Sequence, residues 1–226
     1  MCHVSSQDAF YLVLVASLIE NAGLLSTIRV QMNFERMRWE WRGWLMEVLK
    51  RPQDAIAAYK QAYASNTSRW QLAHVIGFLY EQSGNHAEAE AWLVRACEGN
   101  PKSGDAWFNL GFIRDKARRW PKAIEAFQKA VALAPNQDRA WYGMGLAQAH
   151  LGNHAEAAKA LEEAARLQPM NGHAWYALGM AYHHLHEPEQ VKRAAEQLAQ
   201  FDPQRAKVFI RETERADLHH LVAHLD

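Results

Sequence analysis

Gly43, Gly77, Gly111, Gly145 and Gly179 stand 34 residues apart, and other positions recur with them. Twelve residues after each glycine come Ala55, Ala89, Ala123, Ala157 and Val191; four further on, Tyr59, Leu93, Phe127, Leu161 and Ala195. Three beyond those lie Ala62, Ala96, Ala130, Ala164 and Leu198. Four before the glycine are Trp39, Trp107, Trp141 and Trp175, with Ala73 as the exception. Units close on Pro101, Pro135, Pro169 and Pro203, with Thr67 in that place in the first. A fixed period of this length marks a supersecondary unit that cannot bury its apolar face alone and must stack on its neighbours. Apolar residues three and four apart predict two amphipathic helices per unit. Gly84-Asn85 and Gly152-Asn153 are turn dipeptides between them. Pro52, Pro121 and Pro188 suit the first turn of the second helix, where a missing N–H costs little. All seven prolines fall at predicted turns or helix starts.

These residues resemble the W-x2-L-G-x2-Y…A-x3-F…P pattern of the tetratricopeptide repeat family. The resemblance covers residues 36 to 205 as five units, 36–69, 70–103, 104–137, 138–171 and 172–205. Two departures stand out: Arg42 replaces the usual leucine in the first copy, and Ala195 the aromatic in the fifth. The fold implied is all-α, an α-α superhelical solenoid of five helix pairs with flanking N- and C-terminal helices. The remaining domains are an N-terminal apolar helix over 1–35 and a C-terminal capping helix over 206–226. In the latter, Phe209, Ile210, Leu218, Leu221, Val222 and Leu225 are available to cover the last unit.

Residues 9 to 19 form an apolar run broken by Ser17, and 22 to 28 continue it beyond Glu20 and Asn21. One reading is a membrane span over 9–28, with Arg29, Arg36, Arg38 and Arg42 after it holding the repeats on the cytoplasmic side. Against it, a carboxylate in the span costs about 2.5–3.5 kcal/mol. Ser17, Glu20, Asn21, Thr27, Gln31 and Glu35 share one helical face interrupted by Leu24 and Ile28, which favours a helix docked on protein. The expected location is the cytoplasm, free or on the cytoplasmic face of a membrane.

Lys plus Arg and Asp plus Glu both number 25, so the net charge is zero and the basic excess that nucleic acid requires is missing. Two cysteines, Cys2 and Cys97, make no disulfide framework, and Cys97 reads as a small core residue. No glycine-rich phosphate loop, nucleophile elbow or other catalytic signature occurs, so no enzyme and no cofactor are expected. The twelve histidines include His150 with His154 and His220 with His224 at i,i+4, and His183, His184 and His186 near a turn. The first pair straddles Gly152-Asn153, and zinc sites commonly add Cys or carboxylate ligands at set spacings, so solvated histidines are expected. Glu125 and Glu163 fall four residues from Lys129 and Lys159 and read as solvated pairs.

In the family the first helix of each unit lines a concave groove, which selects two rows here. One follows the Trp position: Glu40, His74, Phe108, Tyr142 and Tyr176. The other follows the Gly position: Trp44, Phe78, Phe112, Leu146 and Met180. An asparagine commonly holds the second place in related repeats, whereas here it is large and apolar five times over. Near them Lys116, with Arg139 at an edge, is the sole cation, which argues against a clamp for an acidic carboxyl-terminal peptide. The rows are read either as packing between helices or as a docking groove. The function favoured is a non-catalytic adaptor or assembly factor that takes an apolar helix or peptide of a partner protein. The alternatives are a membrane-attached accessory subunit and a histidine-rich metal carrier.

Overall fold

A computed structural model describes the backbone of residues 28–225 and the side chains of 34–224. Among these residues there is no strand. Five helix pairs follow the period: α1 Ile28–Val48 with α2 Pro52–Ser65, α3 Trp70–Gln82 with α4 His86–Gly99, and α5 Gly104–Lys116 with α6 Trp120–Leu133. Then come α7 Asp138–His150 with α8 His154–Leu167, α9 Gly172–His184 with α10 Pro188–Phe201, and finally α11 Pro203–Glu212. Two 3₁₀ segments, Ala216–Leu221 and Ala223–Leu225, end the described chain. The chain divides into two compact units, one ending at Asn85 and one starting at His86.

Each pair turns by the same device. Lys50, Gly84, Arg118, Gly152 and His186, 34 residues apart, all have positive φ. The following amide reaches back five residues, as Arg51 N to Met46 O (2.8 Å), Asn85 N to Tyr80 O (2.9 Å) and Arg119 N to Arg114 O (2.8 Å). Asn153 N to Gln148 O and Glu187 N to Tyr182 O, both 3.0 Å, complete the series. This is the Schellman arrangement, which satisfies carbonyls left open at a helix end. Pro52, Pro121 and Pro188 occupy the first turns of α2, α6 and α10 as expected. Asn171 caps α9 by accepting from His173 N and Ala174 N.

The recurring glycine makes room for the residue sixteen places on. A Cβ at Gly43 would lie 2.5 Å from Tyr59, at Gly111 2.7 Å from Phe127, and at Gly145 2.5 Å from Leu161. In the fifth pair Ala195 leaves that slot empty of an aromatic, and Phe209 of α11 fills it, 2.4 Å from a Cβ at Gly179. The indoles have a repeated role too. Trp107, Trp141 and Trp175 donate Nε1–H to the carbonyls of Pro101 (3.0 Å), Pro135 (2.9 Å) and Pro169 (2.8 Å). Each bond ties a first helix to the loop before it, so Trp and Pro recur as a pair.

Two boundaries differ from expectation. α1 runs unbroken across 35/36, starting eight residues before the register set by Trp70, Gly104, Asp138 and Gly172. The C-terminal segment is not one helix over 206–226. α11 starts at Pro203 and stops where Glu214 takes φ 55°, closed by Arg215 N to Ile210 O at 3.0 Å. The break lets Leu218 and Val222 join Phe209 and Ile210 in the core, all at most 3% exposed. A straight helix would carry the first two away along its axis.

Candidate functional site

In the first unit, α1 and α3 carry the sequence-selected positions. Trp44 is 42% and Phe78 45% exposed, while their neighbours Gly43 and Gly77 are buried. One residue past a buried glycine is about 100° round the helix, which turns these rings off the core. Trp44 meets Trp41 edge-on at 5.5 Å, and His74 meets the ring of Trp70 at 6.4 Å. Glu40 is held by Arg69 at 3.0 Å and Arg36 at 3.5 Å, which neutralises it. Tyr59 donates to Glu47 at 2.5 Å, and burial with that bond pushes its phenol pKa up.

In the second unit α5, α7 and α9 pack successively, each touching the next. Phe112 is 39% exposed, and Leu146 and Met180 are half-buried. In the other row Phe108, Tyr142 and Tyr176 are half-buried and rest on the core. Phe108 lies 6.4 Å from Phe112 and 6.1 Å from Phe127, linking the exposed ring to the interior. Tyr176 packs on Phe209 and donates its hydroxyl to Glu212, which pushes its pKa up to about 12. Burial raises that of Tyr142. Lys116 Nζ sits over the Phe112 ring at 4.6 Å. These tyrosines stay neutral at physiological pH, so this face offers rings and hydroxyls.

Several contacts were not legible in the pattern. His150 stacks on Trp120 at 5.0 Å and His154 on His184 at 4.3 Å, each joining one pair to the next. The expectation of solvated histidines therefore needs correction at His154, half-buried with Nδ1 unpartnered, its pKa lowered first by burial and then by His184. The signal lay in the 34-residue spacing of Trp120 with His154 and His150 with His184. Glu163 pairs with Arg166 at 2.7 Å, and Lys129 lies 4.0 Å over Trp107, so the i,i+4 pairing assigned to them is replaced. Cys97 is buried as expected, and burial pushes its thiol up to about 12. An open crevice of about 370 Å³ lies between α8, α9 and α10. Glu162 and Glu196 balance Arg166 and Arg193 on its wall, and Tyr182 donates to Glu162, so it has no charge preference. No three metal-ligating side chains come together among the described residues. No helix among them is long and apolar enough to cross a membrane, and the segment 9–28 lies outside them up to its last residue, Ile28.

Stacked helix pairs closed by one repeated turn and presenting one face of their first helices define an α-α solenoid repeat protein. The tetratricopeptide repeat profile matches residues 49–104, 77–138, 113–169 and 142–205. The chain belongs to the tetratricopeptide repeat family, whose members are protein–protein interaction modules and in general not catalysts. Among solved structures it is similar to MamA, at 23% identity and TM-score 0.69 over 73% of this chain and 96% of that one. It is similar to YrrB, described as having an unusual peptide-binding site, at 21% identity and TM-score 0.66 over 77% and 87%. PilF of Pseudomonas aeruginosa is similar at 14% identity and TM-score 0.67 over 86% and 90%. Identities this low speak for the fold alone. Comparison with the curated proteins gives no match.

Proposed function

We propose that the protein is a non-catalytic adaptor whose first helices take an apolar helix or peptide of a partner protein. In the second unit the surface is Phe108, Phe112, Tyr142, Leu146, Tyr176 and Met180; in the first unit Trp44, His74 and Phe78 hold the same positions. The observation that carries this reading is the row after the glycine. Trp44, Phe78 and Phe112 are each more than a third exposed, whereas residues that only pack between helices, such as Leu79 and Ile113 one place on, are at most 3% exposed. Large rings left accessible and anchored from below are what binding hot spots are made of. Lys116 spends its charge on the Phe112 ring, so the partner that fits is apolar rather than acidic.

The test pairs stability with affinity. The partner is recovered by affinity purification with the full chain, and its binding is then measured against Phe112→Ser combined with Leu146→Ser. Binding is expected to weaken by about 30- to 1000-fold, on the order of 2–4 kcal/mol. The thermal midpoint should fall only slightly, because Phe127, Leu110 and Ala123 still fill the core beneath. A large fall in midpoint makes the row core packing, and unchanged affinity removes it from binding.

A further inference from the structure

The contact between α8 and α9 ends on two histidine rings. His154 starts α8 and His184 closes α9. Their rings stack 4.3 Å apart, inclined by 21°, with His183 edge-on to His184 at 5.8 Å. His184 is exposed, while His154 is half-buried and its Nδ1 has no partner. The other titratable groups near this end are His150 closing α7, Glu156 in the first turn of α8, and Glu187 and Glu189 around the start of α10. None of them pairs with either ring among the described residues, and the charged group that acts on His154 is His184. Arg215, beyond α11, is taken by Asp217 and the carbonyl of Pro188. A cation is disfavoured at the start of a helix and favoured at its end, so α8 opposes a charge that α9 welcomes. One junction earlier the same two positions hold Trp120 and His150, stacked at 5.0 Å. There acid puts an imidazolium over an indole, with Asp115 close enough for the two charges to interact, and both contacts attract. Between α8 and α9 acid puts two like charges against each other.

We infer that the His154–His184 stack is a proton-operated hinge: on acidification the two rings part, the fifth helix pair tilts against the fourth, and the surface proposed for partner binding changes shape. The effect on binding rests on the adaptor reading above; the hinge itself does not. Further along the same contact Tyr182 of α9 donates to Glu162 of α8, and Leu161 and Leu178 share one core. Repulsion at one end of a contact pinned elsewhere rotates the helices instead of separating them. Tyr142 and Leu146 stand on α7 in the fourth pair, Tyr176 and Met180 on α9 in the fifth, so a tilt at this junction alters their spacing. Burial and then His184 hold the His154 pKa below the ordinary 6.5. A histidine of that kind binds its proton more readily once released from its contact. The closed junction therefore has its full strength above the ordinary value and loses it as pH falls through the lowered one.

The test uses the full chain with Cys2→Ser and pairs of nitroxide labels at exposed positions; Cys97 is 2% exposed and stays unlabelled. Lys159→Cys with Arg193→Cys spans the hinge, and Glu125→Cys with Lys159→Cys spans the Trp120–His150 junction. Distances are read by pulsed electron spin resonance at pH 7.5 and pH 5, which bracket the charge change of histidine. The 159–193 distance should change by about 2 Å or more, the scale of helix shifts at packed interfaces, and return when the pH is restored. The 125–159 distance should hold. His184→Phe and His154→Phe each keep a stacked ring without the second charge and should fix the 159–193 distance at its pH 7.5 value. His186→Asn, in the adjacent turn, should leave the change in place. No change in the parent chain, or a change that survives both phenylalanine variants, overturns the inference. An equal change across 125–159 is a general loosening in acid and overturns it as well. Affinity for the recovered partner should fall at pH 5 in the parent chain and hold in His184→Phe, and hinge motion without that loss removes the regulatory role. The adaptor reading fails separately, at pH 7.5, where Phe112→Ser with Leu146→Ser decides it.

Discussion

At the residue scale, function and stability separate at the turns. Arg118 and His186 take the same left-handed conformation as Gly84 and Gly152, with φ between 56° and 78°. An L side chain there costs about 1–2 kcal/mol, part of which glycine gives back in backbone entropy. Arg118→Gly is therefore expected to stabilise the chain by about 1 kcal/mol in urea unfolding, and Gly152→Ala to destabilise it by a similar amount. Asp115, in the last turn of α5, has a buried Oδ1 with no partner, and burial raises its pKa while His150 opposes the rise. A carboxyl whose folded pKa lies above its unfolded value favours folding while protonated and loses that advantage as pH rises through the folded pKa. Asp115→Asn should accordingly raise the unfolding free energy at neutral pH, by up to about 1 kcal/mol for removing an anion from a helix C-terminus. It should also flatten the dependence of stability on pH across the carboxylate range. An equal gain at pH 3 and pH 7 would show that ionisation is not the cause.

At the element scale, α11 does more than shield an end. Phe209 supplies the ring that the fifth pair lacks, against Gly179 and Ala194, and is fully buried. Phe209→Ala should cost about 3–5 kcal/mol, as a core aromatic would, even though the residue lies outside the five units. A loss under about 1 kcal/mol would reduce α11 to a surface cover. The spacing showed Ala195 as a departure without revealing what makes it good. Compensation came from a residue fourteen positions later in sequence, and only the fold of α11 back onto α9 brings it there. The end of α11 was equally illegible. Thr213-Glu214-Arg215 holds neither glycine nor proline, yet Glu214 takes φ 55° because the turn buries Leu218 and Val222.

At the scale of the whole molecule, each pair of the second unit packs on its immediate neighbours as well as within itself. One contiguous core runs from Ala157 to Val222, and another gathers around Phe127. Stability in such a stack is a sum of unit and neighbour terms, so it is greatest where a pair is flanked on both sides. Hydrogen exchange should find the slowest amides of this unit in α6 to α8, around Phe127 and Leu161, and faster ones in the 3₁₀ segments. Uniform protection throughout would show that the unit opens all at once.

The sequence by itself determined the number of helix pairs, the two turns at Gly84-Asn85 and Gly152-Asn153, and the placing of two rows on the first helices. These are local or strictly periodic, and one 34-residue unit constrains the next. Only the tertiary structure decided which ring fills the slot at Gly179, where the C-terminal helix breaks, and that histidines stack between successive pairs. It also showed how far Trp44, Phe78 and Phe112 stand clear of the core. The reason is physical. Spacing fixes the direction in which a side chain leaves its helix, but exposure depends on what the rest of the chain lays against it.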